Sequence, residues 1–320
     1  MENSKIKEMA ANAEHILIAG HMRPDGDCVG ACVSVYHYLK EWYPEKDIHV
    51  YLETLPAKFG VLDPNGQIVR EEIPEQVYDL CIALDSSSSD RLGEAEHFFR
   101  EAKQTLCVDH HISNVGYAME NIIDSKASSA CEVLYGQLCD RMTKDIAAAL
   151  YIGILCDSGM FCFSNTSKKT MEIAGSLMEM GIPFWDYADQ CFRQRTYTQT
   201  QLLGRTLLTS MRLMEGSCIV ATITRRMMEF YEAKTEDIEG IIDQLRVTEG
   251  VEVAILLHEI GEQEYKVSLR SNSRVDVSKI ASYFRGGGHV KAAGFTMRGS
   301  IHDVINNITE HIENQMKQKA

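Results

Sequence analysis

Several features are missing from this chain of 320 residues, and each absence narrows what it can do. It has no C-x-x-C pair: its ten cysteines are scattered, and Cys81, Cys107 and Cys218 lie inside apolar stretches. They read as buried reduced thiols, not as a disulfide framework, and their spacing disfavours a structural zinc site. No apolar run approaches the ~20 residues that a membrane span requires. The apolar stretch at 16–19 (Ile-Leu-Ile-Ala) is too short for a secretory signal and runs into polar residues. A cytoplasmic protein without a membrane partner is the expectation. Basic charge is also short, with 32 Lys and Arg against 46 Asp and Glu and a formal net charge of −14. That balance argues against salt-driven binding along long nucleic acid, which needs an extensive basic surface. There is no internal repeat and no low-complexity segment.

The remaining composition, 45% hydrophobic and 24% charged, is that of a globular protein long enough for two domains with cores of their own. One window runs against the overall charge. From Lys266 to Arg298 there are seven basic residues against the single acid Asp276, leaving it six charges positive. An anionic ligand is expected there.

Strand and helix signals alternate through the first half. Short apolar strands are predicted at 15–19, 48–52, 77–84 and 105–108, with helices at 28–43, 128–139, 145–156 and 168–180. This pattern predicts an α/β domain, a mostly parallel sheet flanked by helices, with ligands at the carboxyl ends of its strands. A polar stretch at 190–201 reads as a connector, with partial helix as the alternative. Beyond it, a hairpin at 207–214 and 218–223, a helix at 235–246, a second hairpin at 251–258 and 264–269, and helices at 277–284 and 301–316 predict a smaller α+β domain. The expected boundaries are a first domain at 1–190, a linker at 191–204 and a second domain at 205–320.

Four segments of the first half share one feature: Asp or His stands where an apolar element gives way to a turn. They are His21-Met22-Arg23-Pro24-Asp25-Gly26-Asp27, Asp85, Asp109-His110-His111 and Asp157-Ser158-Gly159. An Asp in such a place is ordinarily a helix cap or turn former. Four clusters in one domain, five Asp and three His in all, point further. Carboxylates crowded together raise one another's pKa unless a cation is present. Carboxylate mixed with imidazole suits Mn²⁺, Mg²⁺ or Fe²⁺, and zinc held by cysteine thiolates is not indicated. Two ions sharing a carboxylate would activate water for phosphoryl chemistry.

These motifs, with Ser89-Asp90-Arg91-Leu92-Gly93 after Asp85 and Arg285-Gly286-Gly287-Gly288-His289 followed by Ala292-Ala293-Gly294-Phe295, resemble the DHH phosphoesterase superfamily in order and over nearly the whole chain. The resemblance implies a DHH catalytic domain, a DHH-associated substrate-binding domain and an active-site cleft between them. The length is similar to that of the small bifunctional enzymes that degrade oligoribonucleotides and dephosphorylate 3′-phosphoadenosine 5′-phosphate (pAp). The family pattern places His21, Asp25 and Asp85 on one metal and Asp27, Asp85, His110 and Asp157 on another, with Asp85 bridging. His111 would face the scissile phosphate, and Asp109 would orient the histidine pair. The ions would be two, Mn²⁺ first, with Mg²⁺ or Fe²⁺ as alternatives. Residues 86–89 are then a turn and not a catalytic serine run. Arg91, Arg270, Ser271, Arg274, Gly286, Gly287, Gly288 and His289 would bind substrate. Arg285 stands where the family usually has another glycine.

Short RNA or small nucleotides are the expected substrates. Linear or cyclic di-AMP and inorganic pyrophosphate are the alternatives within the same chemistry. A non-catalytic nucleotide-binding protein is disfavoured by the complete ligand set. The quaternary state stays open between monomer and homodimer.

Overall fold

The computed structural model describes residues 4–318 and divides into two units, one ending at Gln194 and the other beginning at Arg195. Among the described residues no helix is long and apolar enough to cross a membrane.

The first unit carries β1 (His15–Ala19), β2 (Asp47–Tyr51), β3 (Val69–Arg70), β4 (Leu80–Leu84), β5 (Gln104–Asp109) and β6 (Glu120–Ile123). Its helices are α1 (Lys5–Ala11), α2 (Gly26–Trp42), α3 (Ala95–Glu101), α4 (Ala130–Leu138), α5 (Lys144–Asp157), α6 (Lys168–Glu179) and α7 (Phe184–Ala188). The six strands form one all-parallel sheet in the order β3-β2-β1-β4-β5-β6. Central strands covered on both faces must be apolar throughout, and β4 (Leu-Cys-Ile-Ala-Leu) is buried at every position. Along β1, Ile16 and Ile18 pack under α2, α4 and α5, while Leu17 and Ala19 pack on the opposite face beside α3. Burying Ile16, Leu17 or Ile18 contributes roughly 1.5–3 kcal/mol each. Helix α5 is buried at every position from Ile146 to Leu155, which fits a helix lying inside the unit and not across its surface.

The strand order reverses between β1 and β4. Chain leaves β1 towards β2 and β3 on one side, and β4 towards β5 and β6 on the other. That is the switch point at which open α/β sheets form a crevice outside their carboxyl ends. Registers Ala19↔Ala83 and Leu84↔Val108 bring the ends of β1, β4 and β5 level.

The second unit contains α8 (Tyr197–Leu208), β7 (Met211–Leu213), β8 (Cys218–Ile223), α9 (Arg225–Phe230), α10 (Ile241–Arg246), β9 (Val253–Gly261), β10 (Glu264–Ser271), α11 (Val277–Tyr283), β11 (Gly287–His289), β12 (Ala292–Arg298) and α12 (Ile301–Gln318). Its mixed sheet runs β11-β12-β10-β9-β8-β7, with β8 and β9 parallel and the other pairs antiparallel. Helices α11 and α12 contribute to the core on one face, and α8 and α10 to the core on the other.

Three local expectations differ from the structure. The stretch expected as a connector over 191–204 includes most of α8, whose Leu202 is wholly buried in the second unit's core. The strand expected from residue 207 starts only at Met211, because Leu207 and Leu208 still belong to that helix. The helix expected over 235–246 is split at Gly240, whose φ of 77° is left-handed, so a 3-10 turn precedes α10.

Candidate metal centre and anion-binding face

All four Asp/His clusters of the first unit converge at the switch point. His21 to Asp25 form the turn after β1, and Asp27 lies in the first turn of α2. Asp85 follows β4, Asp109 ends β5 with His110 and His111 beyond it, and Asp157 ends α5. Asp25 does act as a helix cap: its Oδ1 accepts the backbone N–H of Asp27 at 3.0 Å and of Cys28 at 3.2 Å. The cap fixes the turn, so capping and ligation are compatible roles for one residue. Asp85 has a left-handed φ of 52°, a strained geometry for a residue with a side chain, and its N–H donates to the Val108 carbonyl at 3.0 Å.

The two oxygens of Asp85 face different histidines. Oδ2 is 3.4 Å from His21 Nε2, and Oδ1 is 3.5 Å from His110 Nε2. His21 Nε2 also lies 4.0 Å from Asp25 Oδ1. His110 Nε2 lies 3.3 Å from Asp157 Oδ2 and 3.9 Å from Asp27 Oδ2. Asp85 Oδ1 and His110 Nε2 are buried, and among the described residues neither has a hydrogen-bond partner. Buried polar atoms are rarely left orphaned. A divalent cation would satisfy both, and the carboxylate–imidazole donor set fits one.

The surroundings orient these donors. His21 Nδ1 hydrogen-bonds the Met22 carbonyl at 2.9 Å, which leaves Nε2 as the lone pair facing the carboxylates. Asp27 is fully buried and accepts the N–H groups of Ala130 at 2.6 Å and Cys131 at 3.0 Å, at the start of α4. Gly153 makes room for it, since a Cβ there would come within 2.8 Å of Asp27 Oδ1. Asp109 is also fully buried and holds the histidine pair: Oδ1 accepts His110 N–H at 2.8 Å and lies 2.7 Å from His111 Nδ1. Asn114 Nδ2 donates to its Oδ2 at 2.7 Å. Asn114 escaped the sequence reading, although it stands only three residues beyond His111.

The electrostatics are those of a centre short of positive charge. Burial works against the charge on His21, but Asp85 and Cys28 outweigh it and push its pKa up to about 12. Burial likewise opposes the charge on His110, and Asp157 and Asp85 override it, raising it to about 11. Asp85 would be raised by burial, yet His110 and His21 bring it down to about 2. Asp27 is held well above the carboxylate range by burial and by repulsion from Asp85 and Asp157, and Asp157 is raised chiefly by burial. Asp109 raises His111, and His111 with Asn114 overcomes the burial of Asp109 to lower it.

Two thiols that the cysteine spacing gave no reason to expect lie at the same place. Donor atoms of His21, Cys28 and Asp85 fall within 4.8 Å of one another, as do those of Asp25, Cys156 and Asp157.

Arg91 lies in a 3-10 turn, Ser89–Leu92, with an exposed side chain. Its carbonyl accepts Met22 N–H at 2.7 Å, which ties that turn to the loop carrying His21.

In the second unit, Lys266, Ser268 and Arg270 alternate along one face of β10, and Lys266 pairs with His258 of β9. All four line a cavity of about 470 Å³. Arg270 Nε is 3.5 Å from Asp243 Oδ1. The sequence reading singled out Arg270 and counted Lys266 in the basic window, but it missed His258, which only the pairing of β9 with β10 brings beside the lysine.

Ser271 does not present a free hydroxyl: it is buried and donates to the Val275 carbonyl at 2.6 Å, closing a turn. The N–H groups of Ser273, Arg274 and Val275 all converge on the Glu252 carboxylate. That nest already holds the chain's own anion, while the Arg274 side chain is exposed.

Of the three consecutive glycines, two are required by packing. A Cβ on Gly286 would lie 2.2 Å from the Gly294 carbonyl oxygen, and one on Gly288 would lie 2.5 Å from that of Ala292. Only Gly287 opens onto free space. His289 is exposed. Arg285 has a left-handed φ of 61°, just past the end of α11, where a glycine is favoured.

Comparison with known proteins adds three findings. Residues 15–154 match the DHH family, N-terminal domain, and residues 215–318 match the DHHA1 domain. The chain is 31% identical over 293 residues to the bifunctional oligoribonuclease and PAP phosphatase NrnA of Thermus thermophilus, covering 89% of this chain and 84% of that one. It is 25% identical over 291 residues to the protein of the same name from Bacillus subtilis, covering 87% and 88%. An exopolyphosphatase-related protein from Bacteroides fragilis shares the fold, with a TM-score of 0.87 at 21% identity over 98% of this chain and 96% of that one.

Proposed function

The chain belongs to the DHH family and is a hydrolytic phosphoesterase, and from that premise we propose that it hydrolyses short oligoribonucleotides to mononucleotides and pAp to AMP at a centre of two divalent ions. One observation carries this reading: Asp85 turns its two oxygens to two different histidines, and Oδ1 and the His110 Nε2 opposite it are buried without a partner. His21, Asp25 and Asp85 would hold one ion, and Asp27, Asp85, His110 and Asp157 the other, with Mn²⁺ as first choice and Mg²⁺ or Fe²⁺ as alternatives. When bound, the ions supply an activated water and offset charge on the phosphate.

The chain's own groups do the rest. Asp109 accepts the His110 backbone N–H and orients the His111 ring through Nδ1, so His111 would offer its other nitrogen to the phosphate being cleaved. Arg91 joins the same rim through its bond to Met22. In the second unit Lys266 and Arg270 would supply positive charge for a phosphate, on a cavity wall that also carries Glu236, Glu239 and Asp243, and Gly287 and His289 are exposed. All ten cysteines are free, in keeping with a cytoplasmic protein.

The test is turnover of purified protein with Mn²⁺ on pAp, a dinucleotide, a 24-mer RNA, cyclic di-AMP and pyrophosphate. Turnover of pAp and the dinucleotide, with the 24-mer much slower, is expected from a surface of net charge −14. Pyrophosphate as sole substrate would overturn the proposal. Cleavage of cyclic di-AMP above the dinucleotide would move it to a cyclic-dinucleotide phosphodiesterase.

A further inference from the structure

The carboxylates and imidazoles account for a hard-metal centre, yet two sulfurs also lie among them. Cys28 follows Asp27 in the first turn of α2 and is wholly buried. Its Sγ belongs to the set with His21 and Asp85 whose donor atoms lie within 4.8 Å of one another. Cys156 precedes Asp157 at the end of α5 and belongs to the matching set with Asp25 and Asp157. The backbone makes room for the first sulfur: a Cβ on Gly20, the residue after β1, would meet Cys28 Sγ at 2.2 Å. A second observation points to a ligand in the same centre: Asp85, a member of the Cys28 set and only 2% exposed, leaves its Oδ1, on the side facing His110, without a partner.

We infer that Cys28 and Cys156 are sulfur donors to this centre, and that they shift its preference away from Mg²⁺ towards thiophilic divalent ions such as Fe²⁺, Co²⁺ and Zn²⁺. This rests on the proposal that the site holds divalent metal. Thiolate is a soft ligand that hard Mg²⁺ takes poorly and the later transition ions take well. Ligation forms a metal–sulfur bond, breaks the S–H bond and releases the proton to solvent, with no change of oxidation state. No C-x-x-C spacing is needed, because the two thiols come from different helices.

Optical spectroscopy and metal competition on the full reduced chain, stripped and reloaded, test this without any assay of turnover. Loaded with Co²⁺, the parent is expected to show a near-ultraviolet sulfur-to-cobalt charge-transfer band. Cys28→Ser and Cys156→Ser should each weaken the band, and the double variant should lose it while still binding cobalt. The preference for Zn²⁺ over Mg²⁺ in the double variant should fall by about 10-fold or more. Serine conserves volume, and the parent spectrum needs no variant, so a folding failure would not rescue the idea. A parent that binds two cobalt ions without the band would overturn the sulfur assignment and leave the carboxylate–imidazole centre standing. A parent that binds no divalent ion would overturn both.

Discussion

Asp109→Asn is expected to damage metal binding through a residue that need not touch a metal. The carboxylate is fully buried and meets three donors: His110 N–H at 2.8 Å, His111 Nδ1 at 2.7 Å and Asn114 Nδ2 at 2.7 Å. Asparagine keeps one acceptor oxygen and turns an NH₂ towards one of these donors. Asn114 cannot simply flip to meet it, because its own oxygen accepts Gly116 N–H and its nitrogen also donates to the Ser86 carbonyl. Losing one charge-assisted hydrogen bond costs about 1.5–3 kcal/mol. Loosening of His110 should lower metal affinity by about 10–100-fold, the usual effect of removing a group that orients a ligand. There is also a pH signature. Asp109 raises the pKa of His111, so the parent keeps an imidazolium to higher pH than the variant, whose His111 returns towards about 6.5. If that imidazolium binds the phosphate, the alkaline limb of kcat/KM should move to lower pH in the variant. Calorimetric metal titration and a pH–rate profile on both proteins measure these effects. Unchanged metal affinity would refute the orienting role, and loss of a whole ion would make Asp109 a ligand.

Three further outcomes are expected. Glu252→Gln should destabilise the chain at pH 7 by about 2 kcal/mol, because the carboxylate accepts N–H from Ser273, Arg274 and Val275 as well as the Ser273 hydroxyl. Burial would raise its pKa but these donors lower it, so the difference between parent and variant in urea unfolding should be full above about pH 4.3 and shrink as pH falls through the lower folded value; a pH-independent gap would refute it. Arg285→Gly should stabilise by about 1 kcal/mol by relieving the left-handed backbone, read as a higher Tm, and an unchanged or lower Tm would show that the arginine makes a compensating contact. Arg270→Ala and His289→Ala should mainly raise KM for pAp with metal content unchanged, and an equal loss on a substrate with only the scissile phosphate would remove the second anchor.

The parallel sheet and its site were legible because buried strands are continuous apolar runs and the Asp and His residues follow them directly. The apolar stretches read as strands at 77–84 and 105–108 hold β4 and most of β5, and the carboxyl-end rule placed the first three clusters together, while Asp157 arrives from the end of α5. The short edge strands β3 and β6 carried no signal: Val69–Arg70 is two residues long, and Glu120–Ile123 is exposed or half-buried throughout. In the second unit the hairpin β9–β10 was readable from its turn, but the parallel pairing of β8 with β9 was not. That pairing depends on α9 and α10 crossing between them, and Gly240 disguised α10 as part of a longer helix. Cys28 and Cys156 adjoin Asp27 and Asp157 in the sequence, but the grouping of their thiols with His21, Asp25 and Asp85 comes from the start of α2 and the end of α5 meeting in space. Ser271 shows the opposite error, a polar residue in a promising motif whose hydroxyl the fold turns inward.

The claim that Asp85 bridges two ions is tested most directly by counting metal in Asp85→Ala. Its two oxygens face His21 at 3.4 Å and His110 at 3.5 Å, so its loss should affect both halves of the centre at once. Elemental analysis after equilibrium dialysis is expected to find two divalent ions per chain in the parent, more than one of them missing from the variant, and no turnover. Two tightly bound ions retained in the variant would contradict the account.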